Sequence, residues 1–97
     1  MIRSFRDVGT EHLFHGVNSK EARGCLPRSL WTVACRKLDR LNRATELRDL
    51  KDPPANRLEA LHGDFAGRYS LRINDQYRLV FCFADGDATD VAIVDYH

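Results

Sequence analysis

No apolar run in the chain approaches the roughly 20 residues that a membrane-spanning helix requires. The opening Met1-Ile2-Arg3-Ser4-Phe5-Arg6 lacks the apolar stretch of a secretory signal, so a cytoplasmic location and no membrane partner are expected. Cysteine is scarce and badly spaced for cross-linking. Cys25, Cys35 and Cys82 are odd in number and form no Cys-x-x-Cys pair, which argues for free thiols in a reducing compartment, against zinc and against a disulfide framework. There are no repeats, no low-complexity tract, no glycine-rich phosphate loop, no nucleophile elbow and no paired-carboxylate motif. His12 and His15 lie a turn apart on a predicted helix without a further Cys or His nearby, so they read as structural. No metal and no cofactor are expected.

What is present suits one soluble α+β domain spanning residues 1–97, with 43% hydrophobic and 30% charged residues. A chain of this length hides roughly 65% of its unfolded surface, enough for a single core. Its net charge of +1 conceals a segregation: residues 1–50 hold ten Lys/Arg against six Asp/Glu, and residues 51–97 hold five against eight. Long-range steering toward a polyanion is weak at this net charge, so any nucleic-acid role must rest on a local cluster.

The Pro53-Pro54 pair lacks backbone donors and forces the preceding residue out of helical space, dividing helices before it from sheet after it. Val17-Asn18-Ser19-Lys20 is a second break. Leu30, Val33, Ala34, Leu38 and Leu41 recur at helical steps and predict a helix over 28–43, with Arg36, Lys37, Arg40 and Arg43 largely off the apolar stripe. A shorter helix is predicted over about 7–15, and Ile2 to Phe5 reads as a short edge strand. Beyond the prolines the period falls to two. Strands are predicted over 69–73 and 77–83, a third over 89–95 after the turn at Asp85-Gly86-Asp87, and another near 58–61. The expected architecture is helices packed on one face of a small antiparallel meander.

Register then bears on chemistry. With Asn74-Asp75-Gln76 as the loop, Tyr69 faces Phe81, Leu71 faces Leu79, and Arg72 faces Arg78. Like charges directly across a strand pair cost a few tenths to about 1 kcal/mol. Either carboxylates neutralise them, local aspartates such as Asp64 being candidates, or an anion is meant to sit there. With Arg68 on the same face and Arg57 on a neighbouring strand, the non-helical face reads as a cationic floor. The chain ends on Asp95-Tyr96-His97 after the apolar Val91-Ala92-Ile93-Val94. RNA cleavage without a metal needs a base for the 2′-OH, an acid for the leaving 5′ oxygen and cations on the phosphorane, and this ending together with the arginines offers all three. His62, beside Gly63 in the loop before the arginine strand, is either a phosphate contact or merely solvated.

The segments Arg57-Leu58-Glu59-Ala60-Leu61-His62-Gly63-Asp64, Gly67-Arg68-Tyr69-Ser70-Leu71-Arg72-Ile73, Gln76-Tyr77-Arg78-Leu79-Val80-Phe81, Asp85-Gly86-Asp87-Ala88 and Asp95-Tyr96-His97, with the opening Ile2-Arg3-Ser4-Phe5, resemble the HigB-type toxins of the RelE/ParE superfamily. Residues 16–50 match only in pattern. The resemblance implies the RelE/ParE-like microbial ribonuclease fold. It also implies an mRNA interferase, a ribonuclease that cuts messenger RNA on the 70S ribosome by 2′-OH attack without a metal. It implies a HigA-like helix-turn-helix antitoxin through which alone operator DNA would be contacted. It associates activity with the Asp95-Tyr96-His97 ending, with Arg78 and with the strand before Gly63-Asp64; taken with the arginine face, catalysis is assigned to His97, Tyr96, Asp95, Arg78 and Arg68, and substrate binding to Arg72, Arg57, His62 and Glu59. Ribosomal RNA contact falls to Arg36, Lys37, Arg40 and Arg43, whose alternative role is a solubilising helix face. Many relatives place histidine where Glu59 stands and lysine where His62 stands, so the acid–base inventory is rearranged. A ParE-like gyrase inhibitor without catalysis, or an inactive relative that titrates antitoxin, are the competing readings.

Overall fold

A computed structural model describes residues 1–95. Three helices, α1 (Val8–Phe14), α2 (Lys20–Cys25) and α3 (Trp31–Arg43), precede four strands: β1 (Glu59–Ala60), β2 (Tyr69–Arg72), β3 (Tyr77–Ala84) and β4 (Asp87–Asp95). The strands form one antiparallel meander in the order β1-β2-β3-β4. None of the described helices is long and apolar enough to cross a membrane.

Local chemistry starts each helix. Asp7 caps α1 by accepting from the Thr10 backbone N–H at 3.0 Å and from its hydroxyl at 2.7 Å. Ser19 caps α2 by accepting from the Ala22 N–H at 3.0 Å, and His12 Nδ1 lies 2.6 Å from the same hydroxyl. His15 instead packs its ring against Phe5 and Phe14. The sequence pattern misses α2, because Ala22 is its single buried residue and the rest, Lys-Glu-Ala-Arg-Gly-Cys, carries no apolar stripe. Helix α3 buries Ala34, Leu38 and Leu41 on the expected stripe, preceded by a one-turn 3₁₀ segment over Arg28–Leu30.

The core lies between helices and sheet. Leu13, Leu26, Leu38, Leu41 and Leu50 meet Leu71, Leu79, Phe81 and Val91, all at 2% exposure or less. Each such side chain contributes about 1.5–3 kcal/mol through burial. The N-terminal segment does not form a strand of its own. Ile2 and Phe5 make isolated parallel bridges to Ala88 and Val91, beside a β4 bulge where Asp90 takes a positive φ of 52°. Strand β4 begins at Asp87, two residues before the expected start, because Ala84 and Asp87 still pair across the Asp85-Gly86 turn.

The far face of the sheet is not bare. Ser70, Val80 and Ala92 form one row across β2, β3 and β4, and all three are buried.

Candidate active site on the arginine face

The β2–β3 register is Tyr69 with Phe81, Leu71 with Leu79 and Arg72 with Arg78, so the two guanidinium-bearing residues stand directly opposite each other. Carboxylates accompany both. Arg72 Nη2 pairs with Asp75 at the hairpin loop, and Arg78 Nη2 lies 3.8 Å from Glu59 on β1. The hydrogen bond from Arg72, then its charge and that of Arg57, hold the Asp75 carboxyl below the usual aspartate range. Among the described residues, the local aspartate candidate Asp64 pairs with none of these arginines. Arg68 bonds Asp90 at 3.2 Å across the bulge instead, because that turn brings the Asp90 carboxylate over the end of β2.

Arg78 is the best-held cation of the group. Its side chain is 13% exposed; Nε donates to the Ser70 hydroxyl at 2.8 Å and Nη2 to the Arg57 carbonyl at 2.7 Å. Glu59 pairs with Ser70 across β1 and β2, which brings its carboxylate onto the same row. Arg57, exposed and in the left-handed conformation with φ 46°, lies at the end of the 3₁₀ turn Pro54–Asn56. Four of the predicted residues, Arg57, Glu59, Arg72 and Arg78, therefore gather at one end of the sheet.

Arg68 and His62 lie toward the start of β2. Leu61 bonds its N–H to the Arg68 carbonyl at 2.8 Å, so exposed His62 follows at the Arg68 end. Arg68 and Arg72 are four residues apart along β2, about 13 Å at the strand rise. Arg78 reaches along this face to Ser70, two residues from Arg68, so its guanidinium meets the Ser70 row between the Arg72 and Arg68 positions of the expected cationic floor. One guanidinium nitrogen of Arg68, Nη1, is buried without a hydrogen-bond partner among the described residues.

Strand β4 delivers Asp95 opposite Tyr77, and Val94 opposite Arg78. Alternation along the strand puts Val94 on the arginine face and Asp95 on the side of Tyr77, where its carboxylate accepts from Gln76 Nε2 at 3.1 Å. Tyr96 and His97, the remaining catalytic expectations, lie outside the described residues.

On α3, Arg36, Arg40 and Arg43 are exposed, and Arg40 and Arg43 line an open cleft of about 340 Å³ with Ala44 and Asp49. Lys37 behaves differently: it is half-buried and donates to Asn56 Oδ1 at 2.6 Å. Burial, then the charges of Arg36, Arg72 and Arg40, push its ammonium below the ordinary lysine value. β1 pairs with Tyr69 and Ser70, which leaves Arg72 at the sheet edge.

Sequence reasoning overlooked two site residues, Ser70 and Asn56. Ser70 had a signal, being the one small polar residue between Arg68 and Arg72 on a strand face. Asn56 had none, since an asparagine after prolines reads as an ordinary turn.

The family model for the RelE-like toxin HigB of type II toxin–antitoxin systems matches residues 3–97. Toxin HigB-1 of Vibrio cholerae is 39% identical over 88 residues, spanning 91% of this chain and 90% of that protein. Endoribonuclease HigB of Proteus vulgaris is 31% identical over 105 aligned positions that cover both chains fully. A chain of the YoeB–YefM complex from Staphylococcus aureus superposes with a TM-score of 0.61 at 18% identity, covering 100% of this chain and 98% of the other, which bears on fold alone. An arginine-bearing meander under three helices, matched nearly end to end by that family model, makes the chain a member of the HigB-like family of RelE-like toxins from type II toxin–antitoxin systems.

Proposed function

We propose that this toxin is an endoribonuclease that cleaves messenger RNA on the ribosome and is restrained by a HigA-like helix-turn-helix antitoxin. The observation that carries the reading is Arg78, a guanidinium fixed by Ser70 and the Arg57 carbonyl, facing Arg72 on the same sheet face. A scissile phosphate bound there would gain a pre-oriented cation at the point where charge develops, which is where such groups accelerate reactions most.

In the proposed reaction a base removes the 2′-OH proton and the 2′ oxygen attacks the adjacent phosphorus. The P–O5′ bond then breaks as an acid protonates the leaving oxygen, giving a 2′,3′-cyclic phosphate and a free 5′-OH. His97 is assigned to proton transfer because imidazole titrates near neutral pH. Tyr96 is assigned to positioning or proton transfer. Asp95 is assigned with His97 to proton transfer. Arg78 and Arg72 take the scissile phosphate. Arg57 and Glu59 flank it, and Arg68 and His62, toward the start of β2, are assigned to further phosphate contact. No step needs a cofactor. The name of the Proteus vulgaris relative, an endoribonuclease, and the toxin family itself support this chemistry.

The test is primer extension on a defined message after induction. Discrete new 5′ ends with wild type, and their loss with Arg78→Ala or His97→Ala, are expected. An intact message with growth arrest and DNA-damage signalling would overturn the nuclease in favour of a gyrase-type inhibitor.

A further inference from the structure

The turn that carries Arg57 is held by more hydrogen bonds than its length requires. Asn56 is 3% exposed, and its Nδ2 donates to the Leu50 carbonyl at 3.3 Å and the Asp52 carbonyl at 3.1 Å. Its Oδ1 accepts from Lys37 on α3 at 2.6 Å, and its backbone N–H donates to the Pro53 carbonyl at 2.9 Å. The side chain thereby ties the central loop at two carbonyls and the main helix at a third point.

The next residue, Arg57, sits at φ 46° and ψ 58°. A non-glycine residue takes this left-handed state rarely and persists in it only where its surroundings enforce it. The enforced twist has a direct consequence at the site. It directs the Arg57 carbonyl to Arg78 Nη2 at 2.7 Å, while Ser70, with no exposure, takes Nε at 2.8 Å. A guanidinium bonded on two edges has its plane fixed.

We propose that Asn56, braced by Lys37, is a positioning residue that orients the Arg78 guanidinium through the left-handed Arg57 carbonyl. The inference rests on the nuclease reading only for its functional consequence. The side chain of Arg57 and its backbone then do separate jobs: the guanidinium meets anions, and the carbonyl aims another arginine. Lys37, a cation on the helix face, works inward as a brace. A misplacement of about 1 Å at a catalytic group typically lowers rate up to a hundredfold, which sets the scale of the expected effect.

The experiment separates the two jobs. Arg57→Gly and Arg57→Val both remove the guanidinium, but glycine adopts the left-handed twist freely and valine resists it. Exchange of the Arg78 Nε–H is followed by NMR in ¹⁵N-labelled protein, its resonance assigned by its loss in Arg78→Lys. Single-turnover cleavage on programmed ribosomes is measured in parallel. Exchange should stay slow in wild type and Arg57→Gly and rise about tenfold or more in Arg57→Val and Asn56→Ala. Cleavage by Arg57→Val should fall about tenfold or more below that of Arg57→Gly at saturating ribosomes. If Arg57→Val does not fold, Lys37→Met, which removes the brace on Asn56 from a half-buried position, should accelerate the exchange in its place. Unchanged exchange in the variants that fold overturns the proposal. Accelerated exchange with no cleavage even by wild type leaves the positioning role standing and removes the nuclease reading instead.

Discussion

At the scale of single residues, the arginine face depends on fork geometry more than on charge. Arg78 donates from two different nitrogens to two acceptors that cannot move, a strand hydroxyl and a backbone carbonyl. A lysine keeps the charge but places one compact donor group on a flexible stem. Arg78→Lys should therefore lower single-turnover cleavage about ten- to a hundredfold while the melting temperature stays near wild type. Equal cleavage by lysine and arginine would show that charge alone suffices. The same scale governs the acid response. Asp75 is depressed below its ordinary value of 3.8, first by the Arg72 hydrogen bond. A depressed carboxylate adds stability above its unfolded pKa and loses it as pH falls through the folded value. Asp75→Asn should flatten the acid limb of the stability profile below about pH 4, read from thermal melts across that range. The change should be small, because Asp75 is almost fully exposed.

At the scale of elements, helix pairing is limited by one close approach. A Cβ added at Gly9 would lie 2.6 Å from the Glu21 carbonyl oxygen and 2.8 Å from the Cys25 Cβ. Neither neighbour is the end of a flexible chain, so α1 and α2 would have to separate. Gly9→Ala should destabilise by about 1–3 kcal/mol in urea unfolding, despite alanine's better helix propensity. Within α3, Leu38 has no exposure, and Leu38→Ala should cost about 2–5 kcal/mol in the same measurement. Both changes lie on the helical side of the sheet. Cleavage per folded molecule should survive in both, since the arginine row is held from the opposite face.

At the scale of the whole molecule, charge and topology act together. Arg36, Arg40 and Arg43 are exposed on α3, and the charges of Arg36, Arg72 and Arg40 act together on Lys37. Reversing Arg36, Arg40 and Arg43 to glutamate should weaken cosedimentation with ribosomes and reduce its salt dependence, with circular dichroism unchanged, if these groups contact phosphates. Unaltered cosedimentation would mark the face as solubilising. The meander also explains why the two halves of the site lie far apart in sequence. Pairing of β4 with β3 sets Val94 against Arg78, and pairing of β1 with β2 sets Glu59 against Ser70.

By itself the sequence determined the elements with strong periods. Leu38 and Leu41 at helical spacing, and Tyr69, Leu71, Leu79 and Phe81 at strand spacing, dictate which faces are buried, because burial of a stripe is additive along one element. That fixed the α+β class and, with an odd hairpin loop, the Arg72–Arg78 juxtaposition. Only the tertiary structure decided what had no period to announce it. The six-residue α2 rests on a side-chain cap and one buried alanine. The ion pairing of the arginines depends on which carboxylates the bulge and the strands bring to them, Asp90 and Glu59 rather than Asp64. Asn56 acquires its role from Lys37 and from carbonyls at Leu50 and Asp52. Such contacts join segments by directional hydrogen bonds, whose geometry exists only once the chain is folded.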